Sequence, residues 1–282
     1  MNMPPPRPSV TKTRGEHPDI SYLDVGARSA PAVVLLHSLG ADHRMWRPQV
    51  EVLSADYRVI APDSRGHGAS VGGGPPSVDA WVGDLHRVLL DAGVERAALV
   101  GVSLGGIQAI AYAAAHPDRV AALVVADSFV ELDQDVAQAK IAELSEQAER
   151  EGMAAVADRY VEDTFLMPPS PAGADDIHKA IAGMSVGEYV ASVRVCFGVR
   201  IADRLAQVSA PTLVLWGARD EKTPRPLSER ISAGISGAKL IEVPGAGHLS
   251  NVENPQHFTE LAARFIRRHQ GRMVHHDMKG TS

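Results

Sequence analysis

The sequence predicts an α/β protein: a doubly wound, mostly parallel sheet carrying an inserted helical cap. Three observations lead there. Short apolar runs recur along the chain with helical patterns between them. Most of these runs are continuous rather than alternating, as expected for parallel strands covered on both faces. Between Ser128 and Val208 the rhythm changes to helical patterns without a convincing strand.

The elements follow in order. Residues 1–19 open with Met1-Asn2-Met3-Pro4-Pro5-Pro6-Arg7-Pro8, which has no apolar stretch of the kind a secretory signal needs, and are expected to be disordered. Ile20–Val25 is mixed in character and suits an antiparallel edge strand. Ala32–Leu36, Tyr57–Ala61, Ala97–Val102, Ala121–Ala126, Pro211–Trp216 and Lys239–Val243 read as strands. Val78–Ala92, Leu104–His116, Arg225–Ala233 and Pro255–Arg268 read as helices. The sheet core is therefore placed at 20–127 and 208–268, and the cap at 128–207. Within the cap, helices are expected over Asp135–Arg150, Met153–Thr164, Ala174–Met184 and Val186–Leu205. Breaks are expected at Gly152, at Met167-Pro168-Pro169-Ser170-Pro171 and around Gly183. Residues 269–282 lack periodicity and read as a flexible tail, in which His275 and His276 are solvated.

Bulk properties narrow the class. A chain of 282 residues can bury one substantial core with an inserted subdomain. Its formal charge of −6 argues against a nucleic-acid partner. No run reaches the roughly 18 apolar residues that span a bilayer, so no membrane partner is expected. Cys196 is the single cysteine, which rules out an intrachain disulfide or a cysteine-based metal site. Together these suggest a cytoplasmic enzyme acting on a small molecule. Residues 131–206 carry 14 acidic and seven basic side chains, so the cap as a whole does not favour an anionic substrate.

The chemistry is read from Leu99-Val100-Gly101-Val102-Ser103-Leu104-Gly105-Gly106, an apolar strand running straight into Gly-x-Ser-x-Gly and a helix of small residues. This is the pattern of a nucleophile elbow, in which glycines two before and two after the serine let strand and helix approach closely. A serine hydroxyl needs a base within hydrogen-bond reach, and the base needs an orienting acid. His248, in a Gly-rich loop after the last strand, is the candidate base. Two acids end strands upstream of it. Asp220 is favoured because it keeps the chain order Ser…Asp…His, with Asp127 as the alternative. Backbone N–H groups of Leu104 and Leu39 are nominated as the oxyanion hole, ahead of Ser38. His37, Arg65 and His67 read as loop-shaping residues, with Arg65 also able to line the pocket.

With Ser38-Leu39-Gly40-Ala41-Asp42, Met45-Trp46, Arg65-Gly66-His67-Gly68-Ala69-Ser70, the elbow and Gly247-His248-Leu249-Ser250-Asn251-Val252-Glu253 in view, the chain resembles the α/β-hydrolase superfamily over about residues 20–268. Within it, the chain is most similar to 3-oxoadipate enol-lactonases and related serine esterases. The resemblance implies a cofactor-free serine hydrolase that cleaves a lactone or ester through an acyl-enzyme. The alternatives are a carboxylesterase or aryl esterase, a carbon–carbon bond hydrolase, or a ligand receptor on the same fold. Leu249 argues against the carbon–carbon hydrolases, which commonly carry an aromatic after the histidine. The cap departs from the enol-lactonase pattern: Thr164-Phe165-Leu166-Met167-Pro168-Pro169 stands where such enzymes commonly show Trp-Phe-Thr-Pro. Phe165, Met167, Met184, Tyr189 and Phe197 are candidate pocket residues. Arg65, Arg194 and Arg200 are candidate partners for a substrate carboxylate.

Overall fold

The computed structural model describes residues 9–13, 19–165 and 171–270. Eight strands form one sheet in the order β1-β2-β4-β3-β5-β6-β7-β8. They are β1 (Ser9–Lys12), β2 (Ser21–Val25), β3 (Ala32–Leu36), β4 (Arg58–Pro62), β5 (Ala97–Val102), β6 (Val120–Ala126), β7 (Thr212–Gly217) and β8 (Lys239–Val243). The β1/β2 and β2/β4 pairs are antiparallel and all others are parallel. Every residue of β3, β4, β5 and β6 is buried, which explains their unbroken apolar runs.

Helices cover the sheet: α1 (Arg47–Leu53), α2 (Val78–Asp91), α3 (Leu104–Ala115), α7 (Arg225–Gly234), α8 (Ser250–Glu253) and α9 (Pro255–Gln270). Ser77 caps α2 by accepting from the Ala80 N–H. The middle helix α3 is buried along ten of its twelve residues, so it shows little polar face and packs as core. Between β6 and β7 lie α4 (Gln134–Thr164), α5 (Pro171–Ala182) and α6 (Val186–Phe197), with a 3₁₀ turn at Ala202–Gln207. Helix α4 is broken at Gly152 (φ 80°, ψ 168°), where the expected gap between two helices falls. The last expected cap helix ends at Phe197 rather than Leu205, because Gly198 closes α6.

The N-terminal expectation is corrected by β1. Residues 9–12 lie within the stretch expected to be disordered, yet pair with β2 from Ser9–Asp24 to Lys12–Ser21. Four residues with one exposed valine give no periodic signal; the strand is specified by its partner. It also displaces β2 from the sheet edge. His269 and Gln270, assigned to the tail, are the last residues of α9. Met167, the Met167–Ser170 break, His275 and His276 lie outside the described residues. No single described helix is long and apolar enough to cross a membrane.

Candidate active site

Ser103 sits between β5 and α3 with φ 55° and ψ −116°, a left-handed conformation that few residues with a Cβ adopt. The turn is tight because strand and helix backbones touch. A Cβ on Gly101 would lie 2.2 Å from the Gly105 carbonyl oxygen, and one on Gly105 would lie 2.0 Å from that of Leu36. Both positions therefore require glycine. The same contact presses the end of β3 against the start of α3, so the loop after β3 borders the serine.

The loops after β7 and β8 meet beside it. A Cβ on Gly217 would lie 2.1 Å from the Gly247 oxygen. Across this junction the Ser103 hydroxyl donates to His248 Nε2 at 3.1 Å, and His248 Nδ1 donates to Asp220 at 3.1 Å (Oδ2) and 3.2 Å (Oδ1). That direction follows from the acceptor-only carboxylate, which fixes the proton on Nδ1 and leaves Nε2 free to accept. The backbone N–H groups of Lys222 and Thr223 each donate to Asp220 Oδ1 at 2.9 Å, and the Thr223 hydroxyl donates to Oδ2. Burial alone would raise the Asp220 carboxyl, but the facing imidazole and the Thr223 donors outweigh it and hold Asp220 below the usual carboxylate range. All three side chains are buried, with 5% (Ser103), 3% (Asp220) and 7% (His248) exposure, so little water competes for these bonds.

Asp127, the alternative acid, makes no hydrogen bond to His248 among the described residues. Its carboxylate accepts from the Gly217 N–H at 2.7 Å, and from the Ser250 N–H at 3.2 Å and hydroxyl at 2.5 Å. The Ser38 N–H is occupied by Met45 Sδ at 3.3 Å. Neither Leu39 nor Leu104 donates its N–H to an acceptor among the described residues. His37 bridges loops, donating from Nδ1 to the Ser38 carbonyl at 2.8 Å and accepting at Nε2 from the Ser64 N–H at 2.8 Å. Burial drives the pKa of His67 down to about 3, which keeps it neutral beside His37.

Arg65 is committed to Asp84, donating from Nε at 2.9 Å and Nη2 at 2.8 Å. Arg194 and Arg200 are exposed. Sequence reasoning missed a different cation: Lys222, two residues after Asp220, whose ammonium lies 4.9 Å from the Tyr160 ring centroid. Desolvation lowers its pKa against the attraction of Asp163 and Asp220. Helix α4 thus sets the Tyr160 ring against the loop after β7. Tyr189 and Ile181 pack on Gly40 in the loop after β3, and Phe129 stacks on Phe197 at 6.0 Å.

A family model described as alpha/beta hydrolase fold matches residues 31–255. The chain belongs to this family. Relatives of this alpha/beta hydrolase carry several hydrolytic descriptions. It is 28% identical to 3-oxoadipate enol-lactonase 1 of Acinetobacter baylyi, over 92% of this chain and 97% of that protein. It is 30% identical to a putative carbamate hydrolase, RutD, of Caulobacter segnis, over 83% and 91% respectively. A thermophilic esterase from Thermogutta terrifontis superposes with a TM-score of 0.81 at 27% identity, covering 93% of this chain and 99% of the other.

Proposed function

We propose that this alpha/beta hydrolase is a cofactor-independent serine hydrolase that opens a small ester or lactone through an acyl-enzyme. The observation that supports it most is the unbroken Ser103–His248–Asp220 hydrogen-bond chain at the carboxyl ends of β5, β7 and β8. In this reading His248 Nε2 takes the Ser103 proton as Oγ attacks the carbonyl, and the N–H groups of Leu39 and Leu104 receive the developing oxyanion. His248 then protonates the departing alkoxide or enolate. It next deprotonates the water that releases the acid and restores Ser103. Asp220 holds the tautomer that makes these transfers possible. The helices at 128–207 act as the cap over this centre and supply much of the substrate pocket.

This mechanism covers both a lactonase and a small-ester esterase, and the relatives' names support both. An enol-lactone, an aryl ester, an alkyl ester and an aryl carbamate, each assayed with rapid quench and mass spectrometry, separate the readings. The expected result is a covalent acyl adduct on the Ser103 peptide with the lactone or an ester. Fast turnover without any adduct, unaffected by loss of the Ser103 hydroxyl, would overturn the mechanism.

Lys222 supplies a finer prediction. Lys222→Met is expected to raise KM for a lactone bearing a free carboxylate by about fivefold, the worth of one partly exposed charge pair. KM for a neutral aryl ester should change less. Equal changes for both substrates would remove Lys222 from substrate recognition.

A further inference from the structure

The dipeptide at the end of β6 touches all three loops that carry the reacting side chains, although neither residue meets the histidine. The Ser128 hydroxyl donates to the Ser103 carbonyl at 2.7 Å, while the Ser103 N–H donates to the Ala126 carbonyl at 2.9 Å. The elbow is thus fastened to β6 from both sides of its strained residue. Asp127 reaches the other two loops. The Gly217 N–H that it receives closes β7, and the Gly217 carbonyl accepts from the Asp220 N–H at 2.8 Å. The Ser250 N–H and hydroxyl that it receives lie two residues beyond His248. Asp127, Ser128 and Ser250 are each fully buried.

The choice of side chain is informative. Three donors converge on Asp127, and an ionised carboxylate is the side chain that offers only acceptors to all of them. An asparagine would turn an NH₂ group toward one of these N–H or O–H donors. A protonated acid would set its own hydrogen against the pair from Ser250 at Oδ2. The position also costs strain: besides Ser103, Asp127 is the one described non-glycine residue with positive φ, at 48°. Burial pushes its carboxyl up, and the neighbouring Asp220 charge pushes it further, to about 7, against the opposing pull of Ser250, His248 and Gly217. Asp220 from the β7 loop and His248 from the β8 loop are the titratable groups that face it. A residue serving only to fill space would not need a charge there.

We propose that Asp127 and Ser128 are the positioning residues of the site: Ser128 sets the backbone of the nucleophile, and the Asp127 carboxylate locks the His248 loop to the Asp220 loop, so that the reacting groups stay aligned only while Asp127 is ionised. The proposal rests on the Ser103–His248–Asp220 reading above.

The test uses the full chain with a neutral aryl ester, comparing wild type, Asp127→Asn and Ser250→Ala for kcat, KM, pH profile and thermal midpoint. In the wild type, kcat/KM is expected to fall on the acid side with the uptake of a proton by Asp127 that Asp127→Asn cannot take up. In Asp127→Asn the limb should be shallower by that one proton, and kcat should drop by about 10- to 100-fold with KM nearly unchanged, the scale of a small misalignment. Its thermal midpoint at about pH 8 reflects two opposed effects, the buried charge removed and a buried donor left facing an NH₂ group, so kcat is compared at equal folded fraction. Ser250→Ala removes one donor, so its acid limb should move to higher pH with a smaller loss of kcat than Asp127→Asn. This second variant keeps the test open if Asp127→Asn does not fold. An acid limb as steep as the wild type's in Asp127→Asn, with wild-type kcat, would overturn the proposal. So would losses that merely track the folded fraction, or an unmoved limb in Ser250→Ala. Labelling of Ser103 by a fluorophosphonate, run on every variant, reports on the triad separately: an unlabelled wild type would point to failure of that reading instead.

Discussion

Ser103→Ala is expected to lower turnover on the best ester or lactone by about 10⁴- to 10⁶-fold, the loss seen when a triad nucleophile is removed. The substitution leaves a Cβ in place at φ 55°, so the strained turn is neither relieved nor worsened. It removes one hydroxyl, whose proton bonds His248 Nε2, and nothing in the flanking glycine contacts changes. The thermal midpoint should therefore stay close to that of the wild type, and KM should move little, because the carbonyl site proposed between the Leu39 and Leu104 N–H groups is untouched. The residual rate measures what those donors and His248 achieve with water as the nucleophile. Steady-state rates on freshly purified protein, with a midpoint measured on the same sample, give the comparison. Retention of more than a tenth of wild-type kcat would place the nucleophile elsewhere.

The sheet was legible because its central strands are buried on both faces. Strands Ala32–Leu36, Ala97–Val102 and Lys239–Val243 match the expected bounds, and the remaining predicted strands differ by one residue at each shifted end. Where the sequence fell short, the missing information was non-local. Strand β1 exists because β2 offers a free edge, and helix α1 follows a 3₁₀ turn capped by Asp42 rather than any long apolar stripe. The nucleophile, base and acid candidates could be found one at a time, since each lies in a local pattern of strand, glycine and polar residue. The contacts of Asp127 could not. Its position at a strand end suggested a competing acid, whereas its partners Gly217 and Ser250 lie at the end of β7 and the start of α8, 90 and 123 residues further along. The same applies to Lys222, which gains its setting only when α4 brings Tyr160 across it.

Asp220→Asn is the second large loss, of about 10⁴-fold in kcat by the logic of the histidine tautomer. The environment of Asp220 is built entirely of donors: the N–H groups of Lys222 and Thr223 on Oδ1, the Thr223 hydroxyl on Oδ2, and His248 Nδ1 between the two oxygens. An asparagine keeps its oxygen against the two backbone N–H groups and must place its NH₂ on the side of Thr223 and His248. The Thr223 hydroxyl can rotate and accept. The imidazole can satisfy the NH₂ only by presenting a bare Nδ1, which moves its proton to Nε2 and takes away the base from Ser103. Because Asp220 is held below the usual carboxylate range, its contribution to stability is present above the unfolded-state value and is lost as pH falls through the folded one. Activity near neutral pH is therefore not expected to titrate Asp220, and raising the pH should not rescue Asp220→Asn. The comparison with Asp127→Asn assigns the two acids. A 10⁴-fold loss at Asp220 beside a 10- to 100-fold loss at Asp127, about a hundred- to a thousandfold apart, separates an acid that holds the histidine from one that holds its loop. The reverse ranking would exchange their roles.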